Sequence, residues 1–170
     1  MMRRAQMVVA LIAATSPACH KDRPATWVDR MPLAKAQQWG ASCGEEDLRY
    51  QQAAEHGFIS DSRSWTTKRG DGVTLSCHME WDSGRKRVAE LWVMVVAPTG
   101  YAVQHGDFAP GIALMEAAVP RRLASRVRAL VPPAVGYDRI GDLEIESLPA
   151  RRDARTGTTQ WSIGIKHRAE

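Results

Sequence analysis

Apolar and polar side chains alternate without a break over residues 73–81, and this pattern limits the fold of the 170-residue chain more than any other feature. Successive side chains of a β-strand point to opposite faces, so a period of two predicts a strand with one buried and one wet face. A sheet that is covered on one side only is typical of antiparallel architecture. The apolar positions are Val73, Leu75, Cys77, Met79 and Trp81.

Turn signals flank this strand and predict hairpins on both sides of it. Residues 69–72 (RGDG) precede the strand, and residues 82–84 (DSG) follow it. Glycine and aspartate favour tight turns, so consecutive strands are expected to form a β-meander. Within residues 85–96 the run LWVMVV is apolar on both faces, which predicts a central strand covered on both sides. The other predicted strands are residues 64–68, 101–105, 142–146 and 160–166, with a mobile polar loop over residues 149–159.

Three segments are predicted to be helical. Residues 31–39 are followed by Gly40, which can end a helix, and residues 45–56 begin with acidic residues that suit the positive end of a helix dipole. Residues 112–131 are divided by Pro120, and four of their apolar side chains fall on one face: Leu123, Val127, Leu130 and Val131. The chain is therefore expected to be an α+β protein, an antiparallel sheet of about five or six strands with helices packed on one face.

The amino terminus has the layout of a secretory signal peptide. Arg3 and Arg4 give it a positive start, and residues 7–14 (MVVALIAA) form an uncharged apolar run. Small residues then lead to Cys19. The apolar run is too short to cross a bilayer, which takes about 20 residues. Residues 1–18 are therefore predicted to be a signal peptide that is removed on export.

The end of this segment, Ser16-Pro17-Ala18-Cys19, resembles the lipobox of bacterial lipoproteins. The resemblance implies that Cys19 carries a lipid and becomes the first mature residue; cleavage without lipid attachment is the alternative. In that family an aspartate after the cysteine favours the inner membrane, so His20 implies the outer membrane. Residues 19–30 are then expected to be the anchor and tether, and residues 31–170 a single α+β domain on the periplasmic side of the cell envelope.

The cysteine count fits the same interpretation. The chain has three cysteines, an awkward number for an exported protein unless one of them is modified. If Cys19 carries lipid, Cys43 and Cys77 remain, and an oxidising compartment favours a disulfide bond between them. Two free buried thiols are the alternative.

The charge distribution argues against nucleic acid as a partner. Lys and Arg number 23 against 19 Asp and Glu, and loss of Arg3 and Arg4 with the signal lowers the net charge from +4 to +2. The basic residues fall in short clusters, whereas a nucleic-acid binder shows a concentrated basic surface.

One string in the chain matches a nucleophile motif. Residues 40–44 read G-x-S-x-G, which has catalytic meaning where a sharp strand-to-helix turn exposes the serine. The preceding segment is helical in character, so a turn between two helices is the preferred interpretation. A triad of Ser42, His78 and an acid remains the alternative, because such triads form from residues distant in sequence.

Other polar residues could build a metal site or an acid–base pair. His78 and Glu80 point the same way from one strand, and His105 is a possible third ligand. Their spacing is not distinctive, so an exposed polar strand face is preferred, and neither a metal nor a cofactor is predicted. An exposed strand face is also the preferred interpretation of a row of three carboxylates, and acid–base catalysis is the alternative. Lys166 or residues 85–87 could balance the negative charge of this row. The three carboxylates are those of Asp142, Glu144 and Glu146.

The candidate binding surface combines an aromatic pair with a basic helix face. Trp92 and Met94 would form an apolar patch if the helices leave them uncovered. The basic face consists of Arg121, Arg122, Arg126 and Arg128. The expected function is therefore that of a non-catalytic binding protein with an envelope protein as partner: an inhibitor, an immunity protein or an accessory subunit. The alternative is a small exported hydrolase that uses Ser42 with His78, or the carboxylate row.

Overall fold

A computed structural model describes residues 33–47, 62–82, 87–119, 121–141 and 143–167, which form one antiparallel sheet and three α-helices. The strands are β1 (Glu45–Glu46), β2 (Ser62–Lys68), β3 (Thr74–Asp82), β4 (Arg87–Pro98), β5 (Gly136–Ile140), β6 (Leu143–Asp153) and β7 (Thr158–His167). Their order is β1-β2-β3-β4-β7-β6-β5. The helices are α1 (Leu33–Gly40), α2 (Ala109–Ala118) and α3 (Arg121–Ala129). The predicted α+β class with an antiparallel sheet is confirmed, but the sheet has seven strands rather than five or six.

The meander covers only part of the sheet. Strands β2, β3 and β4 pair in chain order, but the second edge of β4 is taken by β7, which brings Trp161 opposite Val95. The strand predicted over residues 101–105 is therefore wrong. After β4 the amide of Tyr101 donates to the carbonyl of Pro98 in a turn, and the chain enters a short 3₁₀ helix, His105–Phe108.

The chain after α1 also departs from expectation. A 3₁₀ turn, Ala41–Cys43, leads into the two-residue strand β1, so the helix predicted to start at residue 45 is wrong there, and residues 48–56 lie outside the described part. Gly44 has a φ of 132°, and a Cβ on it would lie 2.3 Å from the carbonyl oxygen of Thr66. This close approach, together with an ion pair of 2.8 Å between Glu46 and Arg63, sets the segment against β2 as an edge strand.

Strands β6 and β7 form a longer hairpin than expected. The polar loop predicted over residues 149–159 is mostly strand, and residues 154–157 alone form the turn. The prediction failed because the ends of both strands extend past the core, where both faces are polar. The turn is fastened to the rest of the sheet, since the amide of Thr99 donates to the carbonyl of Gly157 at 2.8 Å.

The core is built on one face of the central strands. In β4, Leu91, Val93 and Val95 have no exposed surface, while Trp92 and the other alternate side chains are half-buried rather than fully covered. The helical segment predicted over residues 112–131 is confirmed as α2 and α3. Leu123, Val127 and Val131 are buried in the same core, and Leu130 packs against it. No helix in the described ranges is long and apolar enough to span a bilayer.

Candidate binding surface on the sheet

The half-buried face of the sheet carries Trp92 at its centre. We call this face, which lies opposite to Leu91 and Val93, the outer face. On it the register places Trp92 of β4 between His78 of β3 and Gly164 of β7. The aromatic side chain therefore lies in the middle of three hydrogen-bonded strands.

The side chain of Trp92 packs directly against Gly164. A Cβ on Gly164 would lie 2.6 Å from the Trp92 ring, closer than any side chain can approach. The indole therefore lies across the backbone of β7, where a residue with a side chain would displace it. An isolated glycine in an alternating strand is typical of such a close approach, but this signal does not identify Trp92 as the residue that approaches.

Further apolar side chains extend the surface. Met94 is flanked by Ser76 and Ser162, and the amide of Gln160 donates to its Sδ at 3.4 Å. Leu148 lies beyond Ser162 on β6 and is 37% exposed. Together with Val96 these side chains form what we call the Trp92 patch: Trp92, Met94, Val96 and Leu148.

The carboxylates predicted as a row form ion pairs at one end of this face. Lys166 Nζ lies 3.3 Å from Glu146 and 3.6 Å from Glu144, and Glu144 also accepts a hydrogen bond of 2.9 Å from the Tyr137 hydroxyl. The hydrogen bond that Lys166 donates to Glu146, aided by the charges of both carboxylates, raises the pKa of Lys166. Asp142, the third member, lies outside the described residues. The two described carboxylates are thus held by a shared cation.

Ser42 and His78 are not brought together. The Ser42 hydroxyl donates to the carbonyl of Trp39 at 2.6 Å, within the turn that follows α1. Cys43 beside it is bonded to Cys77, whose side chain points away from the outer face, whereas His78 points onto that face and meets Glu80 at 3.3 Å. Strand β3 therefore separates the hydroxyl from the imidazole. The turn leads from a helix into a strand, not into a second helix.

His105 does not join His78 and Glu80 either, because it lies in the 3₁₀ helix rather than on a strand. Across the described ranges, no group of three or more His, Cys, Asp or Glu side chains is placed to hold a metal ion.

The basic face of α3 is partly neutralised and lies apart from the Trp92 patch. Arg126 pairs with Asp138 at 3.0 Å, and Arg128 pairs with Glu116 at 2.5 Å. The hydrogen bond to Glu116 raises the pKa of Arg128. Asp138 lies opposite the buried Ile145 in the register and so points to the core side of the sheet. Arg121 and Arg122 begin the same helix. Arg126 is therefore across the sheet from Trp92, and the predicted surface is two separate surfaces.

A charged cluster that the sequence analysis missed joins the β2–β3 turn to the segment after β4. The buried carboxylate of Asp107 accepts hydrogen bonds from Arg69 at 2.5 Å, from the Tyr101 hydroxyl at 3.0 Å and from the amide of Gln104 at 2.9 Å. Burial acts to raise the pKa of Asp107, but these donors together hold that pKa below its ordinary value. Arg69 also binds Asp71, which raises the pKa of the guanidinium. The RGDG sequence is thus a turn closed by its own ion pair.

Comparisons of this chain with protein families, with curated proteins and with solved structures give no significant match. The function of this chain is therefore inferred from its own residues and geometry.

Proposed function

We propose that this chain is an exported, lipid-anchored protein of the bacterial cell envelope that acts by binding another envelope protein. The observation that carries the proposal of export is the bond between Cys43 and Cys77. Disulfides persist in oxidising compartments outside the cytosol and are rare within it. This agrees with a signal peptide over residues 1–18 and assigns a role to two of the three cysteines.

Cys19 is then the residue that holds the protein at the membrane. It stands at the end of the lipobox-like sequence, and residues 20–30 are polar and rich in charge, which suits a tether between a lipid and a folded domain. Attachment of one cysteine to lipid leaves an even number for the disulfide. His20 supports placement at the outer membrane, facing the periplasm.

The binding face that we propose is the outer face of the sheet. We infer that the helices form a layer on the opposite face, which leaves the Trp92 patch for a partner. Tryptophan and methionine are enriched at protein interfaces, and an aromatic side chain held in a fixed position contributes contact area at little entropic cost. An inhibitor, an immunity protein or an accessory subunit would all use such a surface.

The hydrolase alternative draws no support from the described geometry. General acid–base or nucleophilic catalysis needs a nucleophile and a base within hydrogen-bond reach. Ser42 and His78 lie on opposite sides of β3, and the carboxylates of Glu144 and Glu146 are occupied by Lys166. Binding is therefore the function that we propose.

Replacing Cys19 with alanine is expected to release the protein from the membrane fraction. The lipid is attached through the cysteine sulfur, so the variant cannot be anchored or labelled by a radioactive fatty acid. Fractionation and labelling of the wild type and the variant measure this directly. Cys43→Ala, which removes a cysteine of the folded domain, serves as the control and should leave the label in place. Unchanged membrane association of the Cys19 variant would contradict the anchor.

Replacing Trp92 with threonine is expected to weaken partner capture from envelope extract by about tenfold or more, since a buried interface tryptophan contributes about 2 kcal/mol or more. Threonine keeps the strand propensity. Val135→Ala is the matched control, because Val135 is 61% exposed but lies outside the Trp92 patch. The unfolding midpoints of both variants are measured to check that each variant keeps the fold. Equal capture by the Trp92 variant and the control would refute the outer face as the binding surface.

A further inference from the structure

The end of the β6–β7 hairpin carries three arginines in a short stretch of chain. Arg151 and Arg152 lie near the end of β6, and Arg155 lies in the turn that follows. All three are exposed. Arg151 shares the outer face with Gln160, its partner across the hairpin, whereas Arg152 alternates to the other face. Strand β5 pairs only with residues 143–147 of β6, so this end of β6 is an edge of the described sheet. Because arginine side chains are long, the guanidinium groups on its two faces can reach the same ligand around that edge.

These arginines differ from most others in the described part of the chain by having no carboxylate partner. Arg63, Arg69, Arg126 and Arg128 each pair with an acidic side chain. For the three hairpin arginines, no ion pair is present among the described residues. Asp153 stands between them in sequence, but one of its carboxylate oxygens accepts the backbone amide of Arg155. The hairpin end therefore keeps a net positive charge.

The hairpin end also has a concave shape and a fixed position. The three arginines line a cleft of about 490 Å³ together with Val96, Asp153, Ala154, Thr158 and Gln160. Thr99 holds the turn through its bond to Gly157, and the hydroxyls of Thr156 and Thr158 lie 2.7 Å apart. A turn whose backbone is held in this way loses less conformational entropy when a ligand binds.

We propose that this cleft binds a phosphate-bearing anion through Arg151, Arg152 and Arg155. The guanidinium fork matches two phosphate oxygens at once, and its hydrogen bonds to an ionised acceptor are stronger than neutral ones. Thr158 lines the same cleft, and its hydroxyl group shares a hydrogen bond with that of Thr156. The volume suits a phosphate monoester or the head group of an anionic phospholipid. This inference uses only the folded domain and is independent of the proposed anchor at Cys19.

The test is a titration of the mature chain, residues 19–170, carrying Cys19→Ala, so that neither the signal segment nor a lipid contributes to binding. Inorganic phosphate is titrated by calorimetry. In a second arm, vesicles of phosphatidylcholine, alone or mixed equally with phosphatidylglycerol, are assayed by co-sedimentation. Replacing all three arginines with glutamine should weaken binding by about tenfold or more, because glutamine keeps a hydrogen-bond donor but lacks the charge that strengthens a hydrogen bond to an anion. Added salt should weaken the binding of phosphate or vesicles to the chain that keeps its three arginines.

Arg139→Gln is the matched control. Arg139 is also exposed and makes no ion pair within the described ranges, but it lies on β5, away from the hairpin end. The Arg139→Gln variant should bind phosphate or vesicles as well as the parent chain does. Binding of phosphate alone supports a soluble ligand, and binding of phosphatidylglycerol vesicles alone supports a lipid head group. No binding in either arm, or equal binding by the triple variant and the parent, overturns the proposal.

Discussion

Replacement of both Cys43 and Cys77 with alanine is expected to lower the free energy of unfolding by about 3–4 kcal/mol. The bond closes a loop with a sequence separation of 34 and joins the turn after α1 to β3. Without it, the unfolded chain gains the conformational freedom of that loop. Alanine is preferred to serine because both positions have no exposed surface, and a buried hydroxyl without a partner would add a separate cost. Denaturant unfolding of the two proteins measures the difference.

Reduction distinguishes the contribution of the covalent bond to stability from the contribution of the packing of the two sulfur atoms. A reductant should destabilise the wild type by a similar amount and leave the double-alanine variant unchanged. If the wild type kept its stability under reduction, or if both thiols were free in protein recovered from the envelope, the structural role of the bond would be refuted.

Gly111→Ala is expected to destabilise the protein by about 1–3 kcal/mol. In the interior of an ordinary helix this change stabilises by about 1 kcal/mol, because glycine has the greater backbone freedom. Here the sign is reversed. A Cβ at Gly111 would lie 2.5 Å from Val93 and 3.0 Å from the sulfur of Cys77, so α2 would have to move away from the sheet. Thermal or denaturant unfolding gives the sign.

Gly106→Ala provides the control for this experiment. Gly106 lies in the 3₁₀ helix just before α2, and a Cβ on it would meet nothing within 4 Å. Its replacement should change stability by less than about 0.5 kcal/mol. A Gly111 variant as stable as the wild type would mean that α2 does not lie against β3 and β4 in this way.

Local patterns in the sequence were sufficient to predict the strands and helices that bury one face in the core. The alternation over residues 73–81 predicts β3, and its apolar side chains at Val73, Leu75, Cys77 and Met79 are all buried in the core. The missing amide of proline predicts a break between two helices at Pro120, and α2 indeed ends at Ala118 before α3 begins at Arg121. The disulfide could be predicted because the proposed lipid on Cys19 leaves only one pair.

Pairings between distant segments could not be predicted in this way. Strand β7 follows β4 by about sixty residues in the chain, and nothing local in either sequence favours their pairing over a strand at 101–105. Strand β5 was missed because Tyr137 is exposed and its charged neighbours break the apolar alternation, as is common at a sheet edge. β-Strand pairing depends on contacts that a single window of sequence does not contain.

The candidate sites show the same limit. Trp92 could be singled out as a surface residue, but its contact with Gly164 depends on the pairing of β4 with β7. Asp107 and Arg69 are 38 positions apart, and no motif connects them. The basic face of α3 loses much of its apparent charge because Asp138 and Glu116, from other elements, pair with its arginines. Charge in a sequence is thus a poor guide to free charge on a surface.

Export of the chain and processing at Cys19 are the basis of the proposed function, and the intact mass of the protein recovered from bacterial membranes tests them most directly. The expected mass is that of residues 19–170 with a lipid on the first cysteine and two hydrogens fewer for the bond between Cys43 and Cys77. A full-length chain from the cytosolic fraction, with its first eighteen residues and three free thiols, would contradict it.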